Sequence, residues 1–198
     1  MAPKIIQKEE KRAEILKAAM SAFARKGFSN TRMEDISKEA NIGKGTLYEY
    51  FNSKEDLFFT LYEKVRDQFY ETIYRDVRGE ESALKALTSF ITATLKAFKE
   101  WQDFGFVLLD VWSEHRRGKT VHLKFRDVYQ YSRGQVANLI RQGMKSGEFR
   151  KVDPFIAAST IIAVLDGFLL QRIFDPETFQ GKDAEKAVVD TVIHGLKA

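Results

Sequence analysis

The run Lys44-Gly45-Thr46-Leu47-Tyr48-Glu49-Tyr50 gathers a cation, a hydroxyl, two phenols and a residue without a side chain into one short stretch. These types suit contact with a polyanion that carries readable edges. Lys44 can reach a phosphate or a guanine edge, and Thr46 and Tyr48 can donate to phosphate oxygens. Gly45 lets a foreign backbone come close. With Leu47 turned inward, Lys44, Gly45, Thr46, Tyr48 and Tyr50 share an outward face. Other chemistries find no support. There are no cysteines, which excludes disulfides, cysteinyl zinc and thiol catalysis. His115 and His122 stand apart from any carboxylate cluster at ligand spacing, so neither metal nor cofactor is expected. Gly43-Lys44-Gly45-Thr46 resembles a phosphate loop only superficially. The glycine that motif needs five residues before its lysine would fall at Glu39. No nucleophile, base and orienting acid stand in a catalytic arrangement, and no enzyme is expected.

The elements that must hold this run are helices. Apolar residues recur at helical spacing almost throughout, and the three prolines, Pro3, Pro154 and Pro176, sit at plausible helix boundaries. A first helix is expected over about 9–26, with Ile15, Leu16, Ala19, Ala22 and Phe23 on its inner face and Gly27 as its stop. Thr31 with Glu34 reads as a capping box opening a second helix. Asn41-Ile42-Gly43 is a tight turn, because Asn and Gly tolerate positive φ. A short third helix covers 44–51. Ile36, Ala40, Ile42, Leu47 and Phe51 suffice to seat the second and third helices on the first, through Ala19, Phe23 and Phe28. Two short helices joined by such a turn form a helix-turn-helix. Ser53 caps a long fourth helix to about residue 78. Further helices are expected near 81–100, 103–117, 120–146, 154–174 and from Asp183 onward, with Asp153-Pro154 a strong start. The fold class is therefore all-α: a three-helix unit (1–52) that binds DNA, then six helices (53–198) for sensing and dimerisation.

The residues of the first quarter resemble a known family. Phe23-Ala24-Arg25-Lys26-Gly27-Phe28-Ser29-Asn30-Thr31, Met33-Glu34-Asp35-Ile36, Lys44 to Phe51, and Ser53-Lys54-Glu55-Asp56-Leu57 are similar to the N-terminal signature of TetR-type repressors. The resemblance implies that Thr31 caps the second helix and donates to a phosphate. It implies that Lys44, Gly45 and Thr46 face bases, that Tyr48 touches the backbone, and that Lys54 holds a phosphate from the far side. It also implies a homodimer on a pseudo-palindromic operator, released by a small effector that tilts the fourth helix. Two positions depart from the pattern, Asn41 and Gly43, of which Asn41 can still adopt the left-handed conformation. The family's turn usually reads Gly-Val-Ser; here Gly43 replaces the serine and carries no hydroxyl for a phosphate.

Behind that signature the residues speak more coarsely. The eighth and last helices are apolar on more than one face, which suggests pairing with a second copy through Ile161, Leu165, Phe168, Val188, Val192 and Leu196. Aromatics concentrate in the middle. Phe90, Trp101, Phe106, Trp112, Phe125, Tyr129 and Phe168 are the expected lining of an effector cavity, with Asp110 as a placed carboxylate. Inward carboxylates would suit a cationic aromatic effector, and outward ones a lipophilic or acyl molecule. Control by a protein partner instead of a small molecule is the alternative. The net charge of +4 permits nucleic-acid binding without demanding it. The start lacks a signal-peptide core and no apolar run is long enough for a bilayer, so a cytoplasmic location without membrane contact is expected.

Overall fold

A computed structural model describes residues 3–116, 125–179 and 181–198, and the side chains within them except those of 3–6, 112, 114–116 and 125. Its described residues form ten α-helices and no strand, so the all-α expectation holds. They are α1 (Pro3–Lys26), α2 (Met33–Glu39), α3 (Lys44–Tyr50), α4 (Lys54–Val77), α5 (Ala83–Glu100), α6 (Gln102–Arg116), α7 (Phe125–Ser146), α8 (Pro154–Phe174), α9 (Pro176–Phe179) and α10 (Lys182–Leu196). Trp112, His115, His122 and Phe125 of the sequence reading lie outside the described side chains.

The helices group into two compact units. One holds α1–α3, α4 up to Gln68, and α6; the other holds α4 from Phe69, α5 and α7–α10. Packing thus joins the first part of α4 and all of α6 to the helix-turn-helix. α6 belongs with the helix-turn-helix because Phe104 stacks on Phe58 of α4 at 6.2 Å between ring centroids, within the same aromatic cluster as Phe23 and Phe28.

In the first unit the inner face of α1 is as expected. Ile15, Ala19, Ala22 and Phe23 are fully buried, as are Ile36 of α2 and Leu47 of α3. Gly27 ends α1 at φ +76, a conformation that side-chain-bearing residues avoid. Asn41 makes the α2–α3 turn at φ +51, where its short polar side chain is tolerated. One cap differs from expectation. Arg32, not Thr31, is the N-cap of α2, and its N–H donates to the Asp35 carboxylate at 2.9 Å. Only this half of a capping box forms, because a guanidinium has no acceptor to return and Thr31 is drawn inward.

The second unit has a core from α5, α7, α8 and the end of α10, in which Leu87, Ile91, Val136, Ala137 and Ile140 have no exposure. Asp153 caps α8 as expected, accepting from the N–H of Phe155 and Ile156 at 2.9 Å each. Gly181, not Asp183, is the N-cap of α10, and α9 is a short helix the sequence reading did not separate. Buried Arg172 of α8 reaches Glu185 of α10 at 3.3 Å. α8 is long and apolar enough to cross a membrane by length and composition, which counting apolar runs did not show. It is apolar on two sides, one of which packs in this core.

Glu148, in the α7–α8 loop, caps α5 from outside. Its carboxylate accepts from the N–H of Ala83 and Leu84 at 3.1 Å each, from Ser146 at 2.7 Å, and from the Ser82 hydroxyl. The hydroxyls, followed by the backbone donors, hold its pKa down at about 2 against an ordinary 4.5. A depressed folded pKa means stability that is full above the unfolded value and lost as pH falls through the folded one. Glu148→Gln is therefore expected to lower Tm at pH 7, with the gap from wild type closing between pH 4.5 and 2. Thermal melts across that range check it. A gap that stays constant with pH would show that the carboxylate charge contributes nothing.

Candidate nucleic-acid interface

The first unit carries an open groove of about 370 Å³ between the start of α2 and α3, lined by Thr31, Arg32, Met33, Glu34, Lys44, Tyr48 and Lys54. Four of the seven residues expected to meet DNA thus line one surface feature. Tyr48 is 45% exposed despite its size. Gly45 is exposed, and a Cβ built there would meet nothing within 4 Å, so the fold itself does not require glycine at this place. That space is open to an approaching backbone. Thr46 and Tyr50 are half-buried on the flanks of α3.

α2 is fastened to α1 by two ion pairs. Lys26 meets Asp35 at 2.6 Å, and Arg25 meets Glu39 at 2.7 Å, with Ser21 also donating to Glu39. These bonds hold both carboxylates below their usual pKa and raise Arg25. The third carboxylate of α2, Glu34, points the other way and pairs with Lys44 at 2.7 Å. This contact lowers the pKa of Glu34 and raises that of Lys44.

Two residues act differently from the expectation. Thr31 is 1% exposed, and its hydroxyl donates inward to the carbonyl of Gly27 at 2.6 Å, with that of Ala22 at 3.3 Å. It braces the loop instead of offering its proton to a phosphate. Lys54 donates to the carbonyls of Phe28 at 2.7 Å and Ser29 at 3.3 Å, and lies 4.4 Å from the centre of the Phe28 ring. Its first partners are therefore in the α1–α2 loop. The sequence reading missed Arg32, Met33 and Glu34. Arg32 is exposed at the N-cap of α2 beside the groove. Its only signal was a cation directly after Thr31.

Comparison with known proteins places this arrangement. Residues 15–61 match the family model described as bacterial regulatory proteins, tetR family, and residues 83–197 match that of the BetI-type transcriptional repressor, C-terminal. The chain belongs to the TetR family of transcriptional regulators. Its relatives include the uncharacterised HTH-type transcriptional regulator YfiR of Bacillus subtilis, 26% identical over all of this chain and 94% of the relative. Among solved structures, a transcriptional regulator of Saccharomonospora viridis in complex with choline aligns with TM-score 0.82 at 22% identity, covering 96% of this chain and 99% of that one. FadR of Bacillus subtilis in complex with stearoyl-CoA aligns with TM-score 0.77 at 20% identity, covering 92% and 98%. At these identities the structures share the fold.

The residues expected to line an effector cavity in this TetR-family chain are scattered. Phe90 and Phe168 are buried in the core of the second unit, and half-buried Tyr129 packs against it. Trp101 is half-buried with its Nε1 unpartnered, and among the described residues Arg133 Nε is likewise buried without a partner. Arg133 stacks over Tyr129 at 5.2 Å, and Tyr129 donates to Asp166, whose pKa burial raises. Phe106 and Asp110 belong to the other unit. Phe106 is 44% exposed, and Asp110 accepts from the N–H of Ser29 at 3.2 Å. A Cβ on Gly27 would come within 3.0 Å of the same carboxylate. Asp110 thus braces the α1–α2 loop.

The residues expected at a dimer interface divide within the protomer. Ile161, Leu165, Phe168 and Leu196 are 2–6% exposed inside the protomer's own core, and Val188 and Val192 pack against that core. The outer stripe of α8 is a different set: Ile156, Thr160, Ala163, Val164, Leu170, Gln171 and Phe174, with Phe174 77% exposed. A helix apolar all round gives no periodic clue to which side faces its own protomer.

Proposed function

We propose that this chain is a homodimeric, effector-controlled repressor that binds a pseudo-palindromic duplex through the α2–α3 groove. The carrying observation is that groove, cationic and phenolic, open at Gly45 and set on a helix-turn-helix. α3 lies in the major groove with Lys44, Gly45, Thr46 and Tyr48 toward base edges and nearby phosphates. Arg32 and Lys54 stand at the walls as further phosphate contacts. The unit 1–52 supplies DNA binding and 53–198 supplies sensing and pairing. The protein works in the cytoplasm as a binding protein and not as an enzyme, a reading its transcriptional-regulator relatives support.

The effector is a small lipophilic or cationic aromatic molecule seated in the second unit. Three features support that seat: the unpartnered Trp101 Nε1 and Arg133 Nε, the stacked Tyr70 and Tyr74, and the fold shared with proteins that hold choline or stearoyl-CoA. Buried polar atoms without a partner are unfavourable, and a ligand's polar group would satisfy them. Control passes along α4, which runs through both units. An effector acts only if it favours one position of α4 over another.

The test is selection of duplexes from a random pool by the wild-type protein, followed by affinity measurement with Tyr48→Ala. The expected result is an enriched palindromic sequence and a loss of tenfold or more in its affinity on substitution, with the helical melt unchanged. Equal affinity would remove α3 from the DNA contact. Release of the selected duplex by long-chain acyl-CoA or by a quaternary ammonium compound would identify the effector class.

A further inference from the structure

We propose that Glu34 determines DNA specificity by holding Lys44 in an ion pair that withholds it from the general phosphate backbone and yields it to the right base edge. This rests on the DNA-binding reading above.

The three carboxylates of α2 differ in what they do. Asp35 and Glu39 tie α2 to α1, where Lys26, Arg25 and Ser21 occupy them. Glu34 is not needed for that. It bridges instead from α2 to the first residue of α3, across the groove that the DNA would fill. Among the groove's lining residues it stands as an anion beside Arg32, Lys44 and Lys54. A carboxylate placed against phosphates weakens binding to any sequence alike. It also takes up the charge of the cation best placed to read bases, since the first residues of a recognition helix meet the base edges.

Both partners are a little over half exposed, Lys44 at 55% and Glu34 at 54%. Such a pair contributes little to stability and is readily exchanged. A phosphate offers Lys44 a partner no better oriented than Glu34, and leaves the carboxylate repelled. A guanine edge accepts from Lys44, and a cytosine amino group donates to a carboxylate. Only a sequence presenting both compensates for opening the pair. The pair thus penalises non-specific DNA more than the cognate site, which is discrimination by a repulsive element.

The experiment measures affinity for two duplexes across a salt series: a mixed-sequence duplex of about thirty base pairs, and the duplex enriched from the random pool by wild type. Glu34→Gln is expected to tighten mixed-sequence binding about tenfold and change the selected duplex less than threefold. Each freed lysine adds roughly 0.9 to the slope of log affinity against log salt. On mixed sequence the slope should therefore steepen by about two for a dimer. Lys44→Gln should cost the selected duplex at least tenfold and the mixed duplex less than threefold. In the Lys44→Gln background, Glu34→Gln should lose most of its effect on mixed sequence.

Equal tightening on both duplexes, or an unchanged salt slope, would overturn the proposal. So would a Glu34→Gln effect that survives without Lys44, because the carboxylate would then be acting as a bare repulsive charge. A wild-type protein that retains no duplex at low salt would defeat the DNA-binding reading itself, an outcome distinct from these.

Discussion

Ala163→Arg is expected to turn the proposed dimer of 22.8 kDa chains into monomers and to cost the selected duplex at least a hundredfold in affinity. Ala163 lies on the exposed side of α8, on the same stripe as Ile156, Thr160, Leu170 and Phe174. On an α-helix residues spaced by three and four share a face, and these residues follow that spacing for almost the whole of α8. The stripe is apolar and large, with Ile156 at 63% and Phe174 at 77% exposed. Contiguous apolar surface of this kind marks an interaction site. A two-fold interface brings the same patch of each copy together, so two guanidiniums would meet in a dry seam. Stranding a charge in a buried interface costs about 2–5 kcal/mol, enough to dissociate a dimer at micromolar concentration. The substituted residue is exposed in the protomer, so its helical melt should persist. Loss of pairing then removes the second half-site and the avidity it supplies. Native mass spectrometry reads the change directly. A dimer that survives Ala163→Arg would move the interface away from this stripe.

The second large effect concerns Gly143 in α7. A Cβ there would lie 2.1 Å from one ring carbon of Phe149 and 2.4 Å from another. The clash follows from the turn after α7. Gly147, at φ +79, reverses the chain and brings Phe149 back over the helix it has just left. The Phe149 N–H donates to the Gly143 carbonyl at 3.0 Å, and the ring is 3% exposed. Next to it, Arg150 N–H donates to the Leu196 carbonyl at 2.9 Å, so the ring's seat also places the end of α10. Forcing extra volume into a packed site costs about 1–3 kcal/mol. Alanine recovers up to about 1 kcal/mol of helix propensity over glycine. Gly143→Ala should therefore lose about 1 kcal/mol net and lower Tm by roughly 2–4 °C. Phe149→Ala alone should cost about 3–5 kcal/mol through the cavity it leaves. In that background Gly143→Ala should become neutral or stabilising, since its obstacle is gone. Urea denaturation of the four proteins gives the coupling. A Gly143→Ala variant as stable as wild type would mean the ring does not sit there.

Local patterns read well from the sequence where one residue type answers one physical demand. Gly27 and Asn41 stand where the backbone takes positive φ, Asp153 caps α8, and Leu47 points inward while Tyr48 points out. Thr31 shows the limit of such reading. A threonine three residues before a glutamate satisfies the capping pattern, yet the Thr31 hydroxyl donates to the Gly27 carbonyl, and it is Asp35 that accepts from the Arg32 N–H at the start of α2. Asp110 shows the same limit at longer range. Beside aromatics in sequence it reads as a ligand group, but it accepts from Ser29, which is distant along the chain.

The sequence by itself determined that the chain is helical, where a helix-turn-helix lies, and which residues of α3 face outward. Those properties follow from periodicity and turn chemistry within a few residues of each position. Only the tertiary structure decided that α6 packs with the DNA-binding helices, that Glu34 holds Lys44, and that α8 turns Ile161 and Leu165 into its own core while Ile156 and Phe174 stay outside. Each depends on which element comes to lie against which. A helix apolar on every side, or a carboxylate free to face either neighbour, carries no local mark of that choice.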